Sequence, residues 1–293
     1  MNMLLPTAAA MVNGILVGSA IVATRFVIGQ SSPVSLALLR YFIGFCCLLP
    51  PILWSRQMSF ERRDLIPIGL LGTLQFGAVI FLLNFALQYI SSSRAALIFS
   101  SFPLLTMIFS AALGRERITW AKCLGVLLSV AGVGLALGEK AFQPSAFDQG
   151  WVGELAVLAS ATSGAACSVL YRPYLRKYPT LPLSGLAMLA SIFFLGVFAA
   201  GEGFFSAVPH FTSGGWGAVG FIGIASAVGY YLWLWALNHT TPTNVTVFLA
   251  LSPITATLLG AVFLSEKITG VIVLSLVCVA GGLWIALWQT PQN

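Results

Sequence analysis

The chain has 293 residues, of which 58% are hydrophobic and 8% charged, with a mean hydropathy of +0.95 and a net charge of +6. Soluble domains carry roughly 25% charged residues, so this composition excludes a soluble globular fold and points to a protein embedded in lipid. The positive residues lie in short turns between apolar runs, where they act as topology determinants, so no nucleic-acid partner is expected.

Backbone groups in lipid must pair within the protein, which leaves helices or closed barrels. The run 124–137 does not alternate apolar and polar residues as a barrel strand does. We therefore expect an all-α integral membrane protein. Apolar runs of about 20 residues predict ten transmembrane helices, at 8–28, 34–54, 66–89, 95–113, 119–138, 152–171, 182–203, 216–237, 244–264 and 270–288.

In chain order, residues 1–6 carry no positive side chain, so the first run reads as a retained span rather than a cleavable signal. It contains Asn13 and the Gly14/Gly18 pair, whose spacing suits close helix packing. The second contains Arg40, which can snorkel outward, hold a helix C-terminus or bind a substrate carboxylate. The third holds Gln75, Asn84 and Gln88. The fourth holds Ser100, Ser101 and Pro103, and Thr119 is a candidate N-cap for the fifth. After a connection at 139–150, the sixth holds Ser160 and Ser163. The eighth carries Tyr230, Tyr231, Trp233 and Trp235, with Asn238 at its end, and the ninth carries Ser252 and Pro253. Polar side chains inside spans are costly in lipid and should face the bundle interior or a wet cavity. Each alone suits a helix–helix hydrogen bond as well as a ligand contact.

Residues 86–137 align without a gap on 236–287, at a constant offset of 150 residues. Pro103 falls on Pro253, Glu116 on Glu266, Thr119 on Thr269 and Gly132 on Gly282. The chain thus divides into a first repeat, 1–138, a linker, 139–150, and a second repeat, 151–293. With the N-terminus inside, the inner turns collect Arg56, Arg62, Arg63, Arg115, Arg117, Lys122, Arg172, Arg176 and Lys177. The outer side then holds Lys140 and Lys267, with Arg25, Arg40 and Arg94 on or near it. This bias predicts that both termini are cytoplasmic. Five spans per repeat then force the second copy to enter from the opposite side, an inverted repeat of the kind used for alternating access.

Pro103 and Pro253 predict paired bends or breaks in spans four and nine. They are read as gating kinks beside a central site, or as simple packing kinks. Glu116 and Glu266 lie at the rims, where they anchor turns, rather than mid-span, where a proton relay belongs. Cys46, Cys47, Cys123, Cys167 and Cys278 sit in apolar runs without a metal-ligand spacing, and His210 and His239 lie in loops. No metal and no cofactor are expected. There is no phosphate-binding GxxxxGK[ST] loop, no intramembrane Ser–His pair and no HExxH, so an enzyme is not expected.

The Ser101-Phe-Pro103 and Gly114-Arg-Glu116-Arg pair, its counterpart Ser252-Pro253 and Ser265-Glu266-Lys267, and the Leu-Arg40-Tyr-Phe stretch resemble the EamA-type branch of the drug/metabolite transporter superfamily. The likeness covers nearly the whole chain. Within that branch the aromatic eighth span is similar to the YddG-like exporters of aromatic amino acids. The resemblance implies ten helices in two EamA repeats around a central cavity, lined by helices one, three, four, six, eight and nine, with five and ten peripheral. It also implies a bacterial inner-membrane protein that exports amino acids or related small metabolites. Asn13, Gln75, Ser100, Ser101, Ser163, Tyr230, Tyr231, Trp233 and Ser252 are the candidate substrate contacts. An exporter of drugs or of sugar-phosphate-like anions is the alternative. Beyond a small-molecule substrate and the lipid bilayer no partner is called for, and a monomer is expected.

Overall fold

A computed structural model describes residues 4–55, 60–90, 95, 98–115, 119–141, 150–206, 209–264 and 270–288. The described chain is helical throughout: α1 Leu4–Val27, α2 Pro33–Ser55, α3 Arg62–Gly72, α4 Val79–Tyr89, α5 Phe102–Ala112, α6 Trp120–Ala141, α7 Gly150–Leu170, a short α8 Arg172–Lys177, α9 Thr180–Gly201, α10 Ser213–His239, a short α11 Pro242–Val247, α12 Leu251–Leu264 and α13 Gly270–Trp288. Among the described residues, seven stretches are long and apolar enough to cross a membrane. The runs at 95–113, 119–138 and 270–288 appear there as shorter apolar helices.

The surface is inverted relative to a soluble protein. Phe193 is 69% and Phe263 75% exposed, in the middle and near the end of their helices. Lipid is the solvent in which such exposure has no cost. Trp54 and Trp120, at helix ends, are also largely exposed, as expected of an interfacial aromatic belt. Gln88 and Asn238 correct an expectation. Both are exposed rather than interior, because they lie in the last turns of α4 and α10, where interfacial water replaces a protein partner.

Small residues set the packing, since lipid tails supply no hydrophobic drive between helices. A Cβ on Gly14 would sit 2.3 Å from the Phe248 carbonyl oxygen, and one on Gly18 would sit 2.4 Å from that of Ser252. Thus α1 lies directly on the backbone of the ninth run. Gly164 of α7, at the 150-residue offset from Gly14, is covered in the same way by the Phe102 ring (2.4 Å). The outer pair α6 and α13 repeats the pattern. Gly132 meets Ser275, Cys278 and Val279, while Gly282 meets Gly125 and Ser129. The Ser275 hydroxyl donates to the Gly132 carbonyl at 2.5 Å. Helix pairs follow suit, with α1 on α10 answered by α7 on α4, and α2 packing on α9.

Breaks fall where the sequence placed prolines, but not as mid-helix kinks. Pro103 is the second residue of α5, after a turn in which Ser101 N–H donates to the Ile98 carbonyl (3.1 Å). Pro253 is the third residue of α12, after a 3-10 turn at Phe248–Ala250. A missing N–H has no cost in a first turn, where it would lack a helical partner, so each break lies just before its proline.

Loops of the two halves meet at both ends of the bundle. At one end Ser32 Oγ donates to Glu202 Oε2, Thr212 N–H donates to Gln30 Oε1 (3.0 Å), and Arg25 Nη1 donates to the Leu87 carbonyl (3.1 Å). At the other, Arg115 donates to the Val169 carbonyl, and Lys177 Nζ pairs with Asp64 and Glu61 (2.6 Å each). The predicted sidedness of these turns relative to one another is therefore met. Thr119 accepts from Lys122 N–H (3.4 Å), as an N-cap should. Glu116, Glu266 and Thr269 lie outside the described residues.

Candidate functional site

A cavity of about 110 Å³ opens among α1, α2, the third run, residues 99–102, α10 and Leu249. It is roomy enough for several waters or part of a small ligand. From α1 come Asn13, Leu16, Val17, Ala20 and Ile21, the i, i+3, i+4 set of one helix face. From α10 come Ala225, Ser226, Gly229, Tyr230 and Trp233, again one face.

The third run is not a plain helix. Between α3 and α4, residues Thr73–Ala78 form a π-helical segment, with Val79 N–H bonded to the Leu74 carbonyl. Gln75 and Phe76 sit in it and line the cavity. Such segments widen the helix and re-aim side chains. Carbonyls around it find partners on α7: Ser160 Oγ donates to Val79 O at 2.8 Å, and Cys167 Sγ lies 3.9 Å from Leu71 O.

Aromatic rings form the wall. Tyr41 meets Phe76 edge-on (4.8 Å between centroids), Phe76 meets Tyr230 (3.9 Å), Tyr230 meets Tyr171 (6.4 Å), and Phe102 meets Trp233 (6.0 Å). Edge-to-face geometry is what the ring quadrupoles favour. Set in this wall are polar atoms with no hydrogen-bond partner, namely Gln75 Oε1, Tyr230 Oη and Trp233 Nε1. Buried polar groups are almost always paired, and three such atoms converging on one cavity mark a place for a ligand's polar groups. Arg40 is partly exposed and lines the same cavity. Its Nε donates to Ser226 Oγ (2.5 Å) and its guanidinium stands 5.7 Å from the Tyr41 ring.

The structure brings Asn13, Gln75, Tyr230 and Trp233 together on the cavity. Ser100 and Ser101 occupy the break between the lining residues Phe99 and Phe102, with Ser101 Oγ buried and unpartnered. Three candidates are not on the lining. Ser163 is partly exposed on α7, and Tyr231 is turned about 100° from Tyr230 on α10. Ser252 is buried, with its carbonyl under Gly18. Sequence reasoning missed Tyr41, Phe76, Phe99, Phe102 and Ser226. Ser226 stands one turn before Tyr230 on the face already chosen, so helical spacing was a usable signal for it. Helix α7, which the resemblance put on the cavity wall, contributes no lining residue, while α2 contributes two; α6 and α13 stay off the cavity. Among the described residues no group of three or more His, Cys, Asp or Glu is placed to hold a metal.

The model of the EamA-like transporter family matches twice, over residues 5–138 and 151–288. An uncharacterized transporter of Archaeoglobus fulgidus is 26% identical over 258 residues, covering 86% of this chain and 87% of its own. An uncharacterized transporter of Bacillus subtilis, YcxC, is 25% identical over 283 residues, covering 94% and 90%. A probable terminal-alkyne amino-acid exporter of Streptantibioticus cattleyicolor is 28% identical over 210 residues, covering 70% and 67%. One solved crystal structure superposes with a TM-score of 0.81 at 23% identity, covering 97% of this chain and 96% of that one, which is a likeness of fold.

Proposed function

Because the chain belongs to the EamA-like transporter family, we propose that it exports amino acids, aromatic or otherwise hydrophobic, and related small metabolites by alternating access. The observation that carries this reading is the aromatic cavity between the halves, with unpartnered polar atoms of Gln75, Tyr230 and Trp233 set in its wall. Rings suit an apolar side chain, and uncharged polar groups suit a zwitterion's head. The relative named as a probable amino-acid exporter supports the same class.

The frame is ten helices in two inverted five-helix repeats, 1–138 and 151–293, joined by 139–150. Contacts that recur at the 150-residue offset, Gly14 with Gly164 and Gly132 with Gly282, support it. Both termini are cytoplasmic, the membrane is the bacterial inner membrane, and the working unit is a monomer. The breaks before Pro103 and Pro253 are the hinges of the two gates. Asn13, Gln75, Tyr230 and Trp233 contact substrate directly. Ser100 and Ser101 reach it when the break at Pro103 moves, and Ser163, Tyr231 and Ser252 support the wall from behind.

Full-length protein in liposomes should carry labelled phenylalanine above the leak of empty liposomes. Transport of no amino acid would sink the proposal. Competition by a phosphorylated sugar, without competition by amino acids, would instead favour the anion exporter. An imposed pH gradient separates proton exchange from facilitated diffusion.

A further inference from the structure

Resting on the amino-acid reading of the same cavity, we propose that Arg40 is the anchor for the substrate's carboxylate, and that the site selects monoanions and zwitterions over cations.

The charge balance of the cavity carries this. Arg40 is the only ionisable side chain with a fixed charge among the lining residues, and no Asp, Glu or Lys accompanies it. A charge inside a membrane protein is costly unless it is paired. No described carboxylate pairs with Arg40; its described neighbours are the Ser226 hydroxyl and the Tyr41 ring. Arginine has five N–H donors. Only Nε is engaged, by Ser226, whose own proton goes to the Ile222 carbonyl at 2.6 Å. The hydroxyl therefore accepts from Arg40 and holds the guanidinium in one orientation. The two terminal nitrogens are left as the forked donor that fits a carboxylate in bidentate fashion.

An occupant that neutralises one positive charge is a monoanion or a zwitterion. A cation adds repulsion, and a dianion leaves a net negative charge in a wall of rings. Gln75 Oε1, an unpartnered acceptor on the same cavity, is available to the ammonium of a zwitterion. The rings of Phe76 and Phe102 offer contact to the apolar body.

The test uses the purified full-length chain in detergent and two ligand series. Each comprises an amino acid, its deaminated acid and its decarboxylated amine: phenylalanine, 3-phenylpropionate and phenethylamine; leucine, isocaproate and isoamylamine. Binding is read by calorimetry on wild type, Arg40→Gln and Arg40→Lys, each checked for monodispersity. The wild type should bind the amino acid and acid of at least one series, and each amine at least tenfold more weakly. Arg40→Gln should lose about thirtyfold or more for the carboxylates and none for the amines. Arg40→Lys, which keeps the charge, should recover part of the preference and shows that the loss is not misfolding. Amines that bind as well as amino acids, or an Arg40→Gln protein that keeps the preference, overturn the anchor while leaving an amino-acid exporter standing. If the wild type binds none of the six ligands and carries no amino acid in liposomes, the exporter reading falls and the anchor with it.

Discussion

Lys177 and Asp64 meet at 2.6 Å, tying the turn before α9 in the second half of the chain to the start of α3 in the first. Tyr178 Oη donates to the same carboxylate at 2.5 Å and accepts from the Glu61 N–H at 3.2 Å, and its ring packs on Phe60 at 4.8 Å. A gate that opens at this end has to part these groups. Asp64→Asn combined with Lys177→Gln should therefore open this end more readily. Substrate uptake from this side into oriented vesicles should rise two- to threefold, and added salt should reproduce part of the gain in wild type, because exposed ion pairs are screened. An unchanged rate in both would show that the contact is not part of a gate.

The pH response of the same cluster has a definite sign. Hydrogen bonds from Lys177, and then Arg63, hold the Glu61 carboxyl below its ordinary value of 4.5, against a smaller opposing effect of burial. A depressed folded-state pKa contributes stability above the unfolded value and loses it as pH falls through the folded one. Thermal stability should thus be insensitive to Glu61 between about pH 5 and about pH 8, and the Glu61→Gln protein should differ from wild type less and less as pH drops below 4.5. A difference that first disappears near neutral pH would contradict this assignment.

The two outer glycines give a paired stability prediction. A Cβ at Gly132 would lie 2.7 Å from Cys278 Cβ, and one at Gly282 would lie 2.5 Å from the Gly125 carbonyl oxygen. Gly132→Ala and Gly282→Ala should each cost about 1–3 kcal/mol through overpacking, by amounts close to one another. Gly220→Ala on α10 has nothing within 4 Å and should be neutral or stabilising by up to about 1 kcal/mol. Melting temperatures in one detergent decide this, and equal behaviour of all three would refute the packing account.

Removing an unpartnered hydroxyl should move stability and binding in opposite directions. Tyr230 Oη is buried without a partner, so Tyr230→Phe should leave the empty protein as stable or stabilise it by about 1 kcal/mol. If that hydroxyl meets substrate, the same change raises KM severalfold. A variant that loses stability and keeps its KM would make Tyr230 a structural residue.

Orientation is open to direct labelling. Phe205, in the turn after α9, and Arg176, in α8, are both exposed and lie toward opposite ends of the bundle. In a cysteine-free background, Phe205→Cys should react with an impermeant maleimide on intact cells, and Arg176→Cys only after lysis. The reverse pattern would put both termini outside.

Much of this molecule is legible along the chain, and the residues show why the rest is not. The helices follow from apolar runs, the glycine contacts from GxxxG spacing and the repeat, and Thr119 from its place before α6. Asn13, Gln75, Tyr230 and Trp233 were found because a polar or amphipathic side chain in lipid needs an interior. What escaped depends on partners far away in sequence. Ser226 is 186 residues from the arginine that it orients. The turn before Pro103 obeys the rule that a first helical turn can lack an N–H, which composition alone does not register. Ser163 and Tyr231 were chosen for chemistry, and helical phase turned them aside.

The π segment at Thr73–Ala78 has a consequence for how this protein tolerates change. It divides one long run into two parts whose rotational settings are independent. Deleting a single residue within it would restore an ordinary helix and swing everything after it by about 100°, while α3 kept its place. Asn84, whose side-chain nitrogen donates to the Pro33 carbonyl at 3.2 Å, would lose its partner, and Leu83 would leave the cavity wall. An insertion or deletion here acts like turning a key in a lock, whereas one in the turn at 203–206 only changes the length of a strap.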